Sequence, residues 1–305
     1  MTHLFILNRF AGTKDHTPEL KEKIRALHTD DEVVMEYTKE AGDAKRIAKE
    51  YAEKCQDLRV YACGGDGTAN EALTGLMGYE NASLGVIPVG TGNDLIRSLP
   101  ASKEDFLDLQ KMIEGDTVRI DLFRCEDKYA INVISVGYDC EVAAQAQRNK
   151  RLPLMSGSFA YKLAILQCLL TKRKHTFRPF ADGEEIQLKD GYKTQMLAVA
   201  SNGRYYGGGI QCSPKAELND GYIDFMSIPT ISVPKFLSLV SDFIKGQHID
   251  NPKMPFILNK KCKEMKLIDD KELKVGIDGE MFYMTNPTIT VLPSAFDVIV
   301  PKNLP

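Results

Sequence analysis

Two glycine loops carry the residues of this chain most able to do chemistry. The first reads Gly64-Gly65-Asp66-Gly67-Thr68-Ala69-Asn70-Glu71. Its glycines let the backbone turn tightly and approach a ligand without Cβ clashes. The N–H groups that open the following helix attract an anion, so the segment can cradle phosphates. It is not a Walker loop, because the chain contains no Gly-Lys dipeptide. Asp66 indicates the chemistry. A carboxylate beside phosphates repels them unless a cation lies between, which implies Mg²⁺. The plainer reading is a glycine turn with an Asx-type aspartate, Thr68 and Glu71 forming a capping box. The loop alone leaves both open.

The second loop is Pro88-Val89-Gly90-Thr91-Gly92-Asn93-Asp94, again directly after an apolar run. Thr91 and Asn93 offer donors to nucleotide phosphates or ribose, and Asp94 adds a second carboxylate. A helix cap at Asn93 or Asp94 explains the same residues. Asp121, at the end of a later strand, could add a third carboxylate, or simply cap a loop. Residues 202–209 include three consecutive glycines, and residues 214–222 include Asp220-Gly221, otherwise a hairpin turn. Asp278-Gly279-Glu280 is another such turn. Glu280 could serve as the base that phosphoryl transfer to a hydroxyl requires, or be a solvated hairpin residue.

The surrounding elements decide whether these residues can meet. Strand patterns at 4–7, 33–37, 58–63, 83–87 and 117–123 alternate with helix patterns. The helices begin at Thr17-Pro18, with Thr17 as cap, at 42, at 68 and at Ser102, where Asp105 completes a capping box. Such alternation predicts a parallel sheet, whose loops at strand C-termini converge on one edge. The second half predicts helices at 139–149 and 158–170. Strands follow at 176–181, 196–201, 222–227, 265–268, 273–277 and 288–292, with one amphipathic helix at 233–245. That is the pattern of an antiparallel sandwich.

Composition bounds the rest. The 305 residues suffice for two domains, and 43% hydrophobic with 27% charged is ordinary globular composition. A net charge of −3 gives no reason to expect nucleic acid. The seven cysteines, 55, 63, 125, 140, 168, 212 and 262, are scattered, which suits reduced thiols in a cytoplasm. No apolar stretch is long enough to span a bilayer. The N-terminus reads as a strand and not as a signal peptide.

Together these motifs resemble the diacylglycerol kinase catalytic-domain family, which includes bacterial lipid kinases and sphingosine and ceramide kinases. The resemblance runs in order through Asn8, Thr38 with Ala41-Gly42-Asp43-Ala44, both glycine loops, Asp121, the triple glycine, Asp220-Gly221 and Asp278-Gly279-Glu280. It implies an α/β nucleotide-binding domain (1–123 and 294–305) and a β-rich lipid-substrate domain (124–293), with the active site in the cleft between them and the last strand returning to the first domain near 295–300. It implies ATP at Asn8, Thr38, Gly64, Gly65, Asp66, Gly67, Thr68, Ala69, Asn70, Glu71, Thr91 and Asn93. Asp66, Asp94 and Asp121 resemble the family's aspartate–water–magnesium network, and Glu280 its general base. Glu217, Asp220 and Tyr222 resemble a structural magnesium site, with backbone carbonyls at the first and third positions. One departure is Asn8-Arg9-Phe10-Ala11-Gly12, where the family usually has proline after the asparagine.

The implied activity is ATP-dependent phosphorylation of a lipid hydroxyl, of diacylglycerol or a related lipid. Two alternatives stand beside it, a small-molecule kinase like the NAD kinases, which share the Gly-Gly-Asp-Gly-Thr loop, and a non-catalytic lipid-binding regulator. Charge adds a partner. From Val142 to Ala181 there is no acidic residue, while Arg148, Lys150, Arg151, Lys162, Lys172, Arg173, Lys174 and Arg178 are basic. Leu152, Leu154, Met155 and Phe159 lie among them. This predicts peripheral docking on an anionic cytoplasmic membrane face through residues 148–178, against the alternative of a solvated basic helix pair. A homodimer stays open.

Overall fold

The computed structural model describes residues 1–149, 157–189 and 191–302. They form two compact units. The first comprises Met1–Leu122, Tyr205–Gly209 and the stretch from Pro293, and the second comprises Phe123–Arg204 and Ile210–Leu292.

In the first unit the elements run β1 (Thr2–Leu7), α1 (Thr17–Arg25), β2 (Glu32–Tyr37), α2 (Asp43–Ala52), β3 (Leu58–Gly64), α3 (Asp66–Leu76), β4 (Ala82–Pro88), α4 (Lys103–Leu107), α5 (Leu109–Ile113) and β5 (Asp116–Cys125), whose end enters the second unit. The strands pair in parallel in the order β2-β1-β3-β4. Leu4 lies between Val34 and Val60, Val60 lies opposite Leu84, and Leu84 meets Val298 of the last strand. Every residue of β1 and β4 is buried, because helices cover both faces; hence their continuous apolar runs. Leu7, Tyr37, Gly64 and Pro88 end their strands at one edge, where the candidate loops begin.

Two capping expectations change. The cap of α1 is His16, with Thr17 one position inside, where Asp15 accepts its N–H at 2.8 Å and its hydroxyl at 2.6 Å. Thr68 and Glu71 form no capping box, because α3 already begins at Asp66 with Gly65 as cap. The Ser102–Asp105 capping box is present.

The second unit continues with β6 (Lys128–Ala130), β7 (Val133–Gly137), α6 (Tyr138–Asn149), α7 (Gly157–Thr171), β8 (Arg178–Ala181), β9 (Glu184–Glu185), β10 (Gln195–Ser201), β11 (Ile223–Pro229), α8 (Val233–Ile244), β12 (Leu258–Cys262), β13 (Glu264–Ile268), β14 (Leu273–Ile277), β15 (Glu280–Met284) and β16 (Thr288–Val300), which ends in the first unit. One antiparallel sheet has the order β12-β11-β10-β7-β14-β15. Facing strands include β8 and β13, paired with each other, and the start of β16 on β13. Phe123, Ile134, Phe177, Phe225, Met265, Val275 and Ile289 pack in the core between them. An α/β unit with a parallel sheet and a β-sandwich unit are thus the observed architecture.

Candidate active site

In the first unit the two glycine loops are bound to each other. The Gly90 N–H donates to the Gly64 carbonyl at 2.9 Å. A Cβ on Gly90 would lie 2.4 Å from the Gly65 Cα, so only glycine permits this approach. Asp66 completes the junction. Its Oδ2 accepts the Asn93 N–H at 2.7 Å, and its Oδ1 accepts the Asp94 N–H at 2.8 Å. Asn93 adopts a left-handed φ of +57°, which asparagine tolerates, and its amide nitrogen donates to the Gly90 carbonyl at 2.8 Å.

Asp94 is almost fully buried, and its Oδ2 accepts the Gly208 N–H at 2.8 Å. The left-handed backbone of the triple glycine presents this N–H. Gly207, Gly208 and Gly209 take φ of +62°, +85° and +114°, all left-handed. Burial pushes the Asp94 carboxyl above its usual range, the nearby Asp66 charge adds to that, and the amides of Gly208 and Gly209 oppose it. Its other oxygen, Oδ1, is buried without a hydrogen-bond donor, with Arg97 Nε 3.5 Å away. Asp121 is fully buried, and its Oδ1 accepts the Ser294 N–H at 2.7 Å. The structure therefore brings Asp66 and Asp94 together and anchors Asp121 on the last strand.

The remaining nucleotide-side residues surround this junction. Asn8 donates to the Thr68 hydroxyl at 2.9 Å, joining the first loop to the phosphate loop. Thr38 is buried, its N–H bonded to the Leu7 carbonyl at 3.1 Å. Glu71 accepts the Ala44 N–H at 3.3 Å, tying α3 to α2. Thr91 is exposed and lines a cavity of about 280 Å³ with Gly12, Thr13, His16, Gly90 and Lys103. The first loop closes without the family's proline, its Ala11 N–H bonded to the Asn8 carbonyl at 3.2 Å.

A like-charged carboxylate pair, with one buried oxygen lacking a donor, suits a divalent cation. Among the described residues no cluster of three acidic, histidine or cysteine side chains forms a ready-made metal cage. The fit rests on these two aspartates.

In the second unit Glu280 opens β15 and is exposed, one residue beyond Gly279 with φ +92°. Asp278 before it is buried. Its carboxylate accepts three consecutive N–H groups, from Ile131 at 2.7 Å, Asn132 at 3.0 Å and Val133 at 2.8 Å. Sequence reading saw only a turn here. The signal it lacked is the distance along the chain between Asp278 and its partners.

Asp220 accepts the Tyr222 N–H at 3.0 Å, and its other oxygen pairs with Lys261. Lys261 also lies 3.8 Å from Asp224. Burial pushes the Asp224 carboxyl up to about 6; Lys261 opposes this, while Asp220 and Glu217 add to it. Asp220 and Asp224 thus share one ammonium, which leaves negative charge to spare.

Comparison with known proteins decides the family. Residues 2–125 match the diacylglycerol kinase catalytic domain, and residues 132–300 match the YegS C-terminal NAD kinase beta sandwich-like domain. The diacylglycerol kinase of Bacillus subtilis is 31% identical over 264 residues, covering 86% of this chain and 84% of its own. The chain belongs to the diacylglycerol kinase family. It is an ATP-dependent lipid kinase, a phosphotransferase with an alcohol acceptor. The diacylglycerol kinase of Mycobacterium tuberculosis is likewise 31% identical, over 286 residues, covering 92% and 88% of the two chains. A crystal structure of a diacylglycerol kinase from Bacillus anthracis shares the fold of this kinase, with a TM-score of 0.70 at 22% identity over 98% and 96% of the chains.

Proposed function

We propose that this lipid kinase transfers the γ-phosphoryl group of ATP to the free hydroxyl of diacylglycerol or a closely related lipid. The carrying observation is the junction of the two glycine loops through Asp66. It supports a single preorganised phosphate site rather than two separate turns.

In this reading Asn8, Thr38, residues 64–71, Thr91 and Asn93 hold the nucleotide. The backbone N–H groups at the start of α3 meet its phosphates. Asp66 and Asp94, together with Asp121, would hold Mg²⁺, which would neutralise charge on the phosphates. Glu280 takes the proton from the lipid hydroxyl. That oxygen bonds to the γ-phosphorus as the bond to the ADP oxygen breaks. Asp66 keeps the second loop in place as this happens, and Asp94 keeps the triple glycine closed against it. In the second unit, Glu217, Asp220 and Tyr222 would hold a structural Mg²⁺, the first and third through backbone carbonyls.

The substrate resides in a bilayer, so the kinase works as a peripheral protein at an anionic membrane face. Among the described residues no helix is long and apolar enough to cross a membrane. The basic stretch 148–178 supports docking, although two of its charges are already engaged. Lys172 pairs with Glu141 at 2.9 Å and Arg178 with Glu185 at 3.5 Å. Lys162 and Lys174 are exposed. Lys150, Arg151, Leu152, Leu154 and Met155 lie outside the described residues.

The experiment is a panel of diacylglycerol, sphingoid base, ceramide, polyprenol and NAD, each offered with radiolabelled ATP and Mg²⁺. Label in phosphatidic acid above all other products is expected. Label in NADP alone, or in nothing, would overturn the reading.

A further inference from the structure

Helices α7 and α8 each carry one apolar row that is in part exposed. On α7 the row is Phe159, Leu163, Leu166 and Leu170; on α8 it is Val233, Leu237, Val240 and Ile244. Both follow the same spacing of four, three and four residues, which keeps side chains on one face of a helix. Leu166 and Leu170 are 51% and 60% exposed, and Leu237 and Ile244 are 59% and 44% exposed. Ala160, Ala164, Cys168 and Leu169 make the buried side of α7. On α8 only Leu239 is buried, although the helix is apolar for most of its length. Sequence patterning assigns such a row to a core, but here Leu166, Leu170, Leu237 and Ile244 stand exposed, while Leu163, Val233 and Val240 are half-buried.

The two helices belong to one layer of the second unit. The Tyr138 hydroxyl donates to the Ile165 carbonyl of α7 at 2.7 Å, and its ring meets Phe236 of α8 edge-on at 5.7 Å. Thr230, just before α8, donates to the carbonyl of Arg173, just after α7, at 3.2 Å. One exposed leucine needs no explanation, whereas matching rows on two joined helices do.

We infer that these two rows are the part of the molecule that enters the acyl region of an anionic bilayer. The inference rests on the lipid-kinase reading and specifies where that kinase touches its membrane. The choice of a bilayer over a second copy of the chain follows from charge. No acidic residue occurs between Val142 and Ala181, and Lys162 and Lys174 stand exposed beside the α7 row. A second basic copy would be repelled there, and an anionic headgroup layer attracted. On α8 the acidic Asp242 lies half a turn away from the apolar row.

Co-sedimentation with phosphatidylglycerol and with phosphatidylcholine vesicles tests this. Wild type should pellet with the anionic vesicles and retain part of that binding in high salt, because inserted apolar area is not screened. The pairs Leu166→Glu with Leu170→Glu, and Leu237→Glu with Ile244→Glu, should each lower partitioning about tenfold or more. Leu237→Ser with Leu170→Ser repeats the test without added charge, should either acidic pair fold poorly by circular dichroism. All variants should phosphorylate a monomeric short-chain diacylglycerol at the wild-type rate. Failure of wild type in that assay would overturn the diacylglycerol reading, while the vesicle result still judges the surface. Variants that partition like wild type would overturn the inference. So would a wild-type dimer that Leu237→Glu splits without loss of vesicle binding, since the face would then be a self-interface.

Discussion

The Asp66 carboxylate accepts the Asp94 N–H at 2.8 Å, so the residue proposed at the phosphates also sets the shape of the loop facing it. A purely catalytic aspartate could be removed without cost to the fold. This one cannot, because two backbone N–H groups would lose a charged acceptor. Asp66→Ala should lower kcat roughly a thousandfold and also lower the melting temperature by several degrees. Steady-state kinetics and thermal melts with and without ATP check both. Near-normal turnover in a folded variant would remove Asp66 from the phosphate site.

Glu280 and Asp278 should separate in the same assay. Glu280→Gln keeps shape and removes basicity, so ATP binding should survive while kcat falls about a hundredfold. Asp278→Ala leaves three buried N–H groups without their acceptor and should act first on stability, by about 3 kcal/mol or more. If Glu280→Gln instead loses nucleotide binding with kcat unchanged, Glu280 is a binding residue. A wild-type melting temperature for Asp278→Ala would show that the clamp contributes nothing.

What the sequence made legible was local. The parallel strands showed because β1, β3 and β4 are short, mainly apolar runs, the last two leading into glycine loops. Strand β7 did not show. It has only five residues, Val133–Gly137, and runs into α6 without a turn. The triple glycine looked like open backbone because its partner, Asp94, lies 114 residues away. The basic stretch 148–178 was visible as charge, yet its internal pairing was not, since Glu141 and Glu185 stand outside it. Residue type and spacing thus identified the candidate groups, and long-range hydrogen bonds decided what each one holds.

Asp220 should govern a metal response of stability. Its carboxylate, with Asp224 and Glu217 nearby, faces the single ammonium of Lys261, which leaves an excess of negative charge for a hard cation. Wild type should melt at a higher temperature in millimolar Mg²⁺ than in chelator. Asp220→Ala should melt lower and lose that dependence. Coincident curves for the two proteins, with and without the metal, would refute a cation there.

Glu141 should give stability a pH dependence of definite sign. It holds Lys274 at 2.6 Å and Lys172 at 2.9 Å, joining α6 to β14 and to the end of α7. Burial alone would raise its carboxyl, but the two ammonium groups outweigh burial and lower it below the ordinary 4.5. A lowered carboxylate contributes stability above its unfolded value and loses it as pH falls through the folded one. Glu141→Gln should therefore destabilise the protein at pH 7 by about 2 kcal/mol. That is less than a sealed pair would cost, because the Lys172 side chain is 34% exposed. The gap between variant and wild type should close as the pH falls below the ordinary carboxylate value and through the lowered folded one. Denaturant melts across that range measure it. A constant gap would mean that the substituted amide disturbs packing, with no charge effect, and no gap at any pH would mean that the triad holds nothing together.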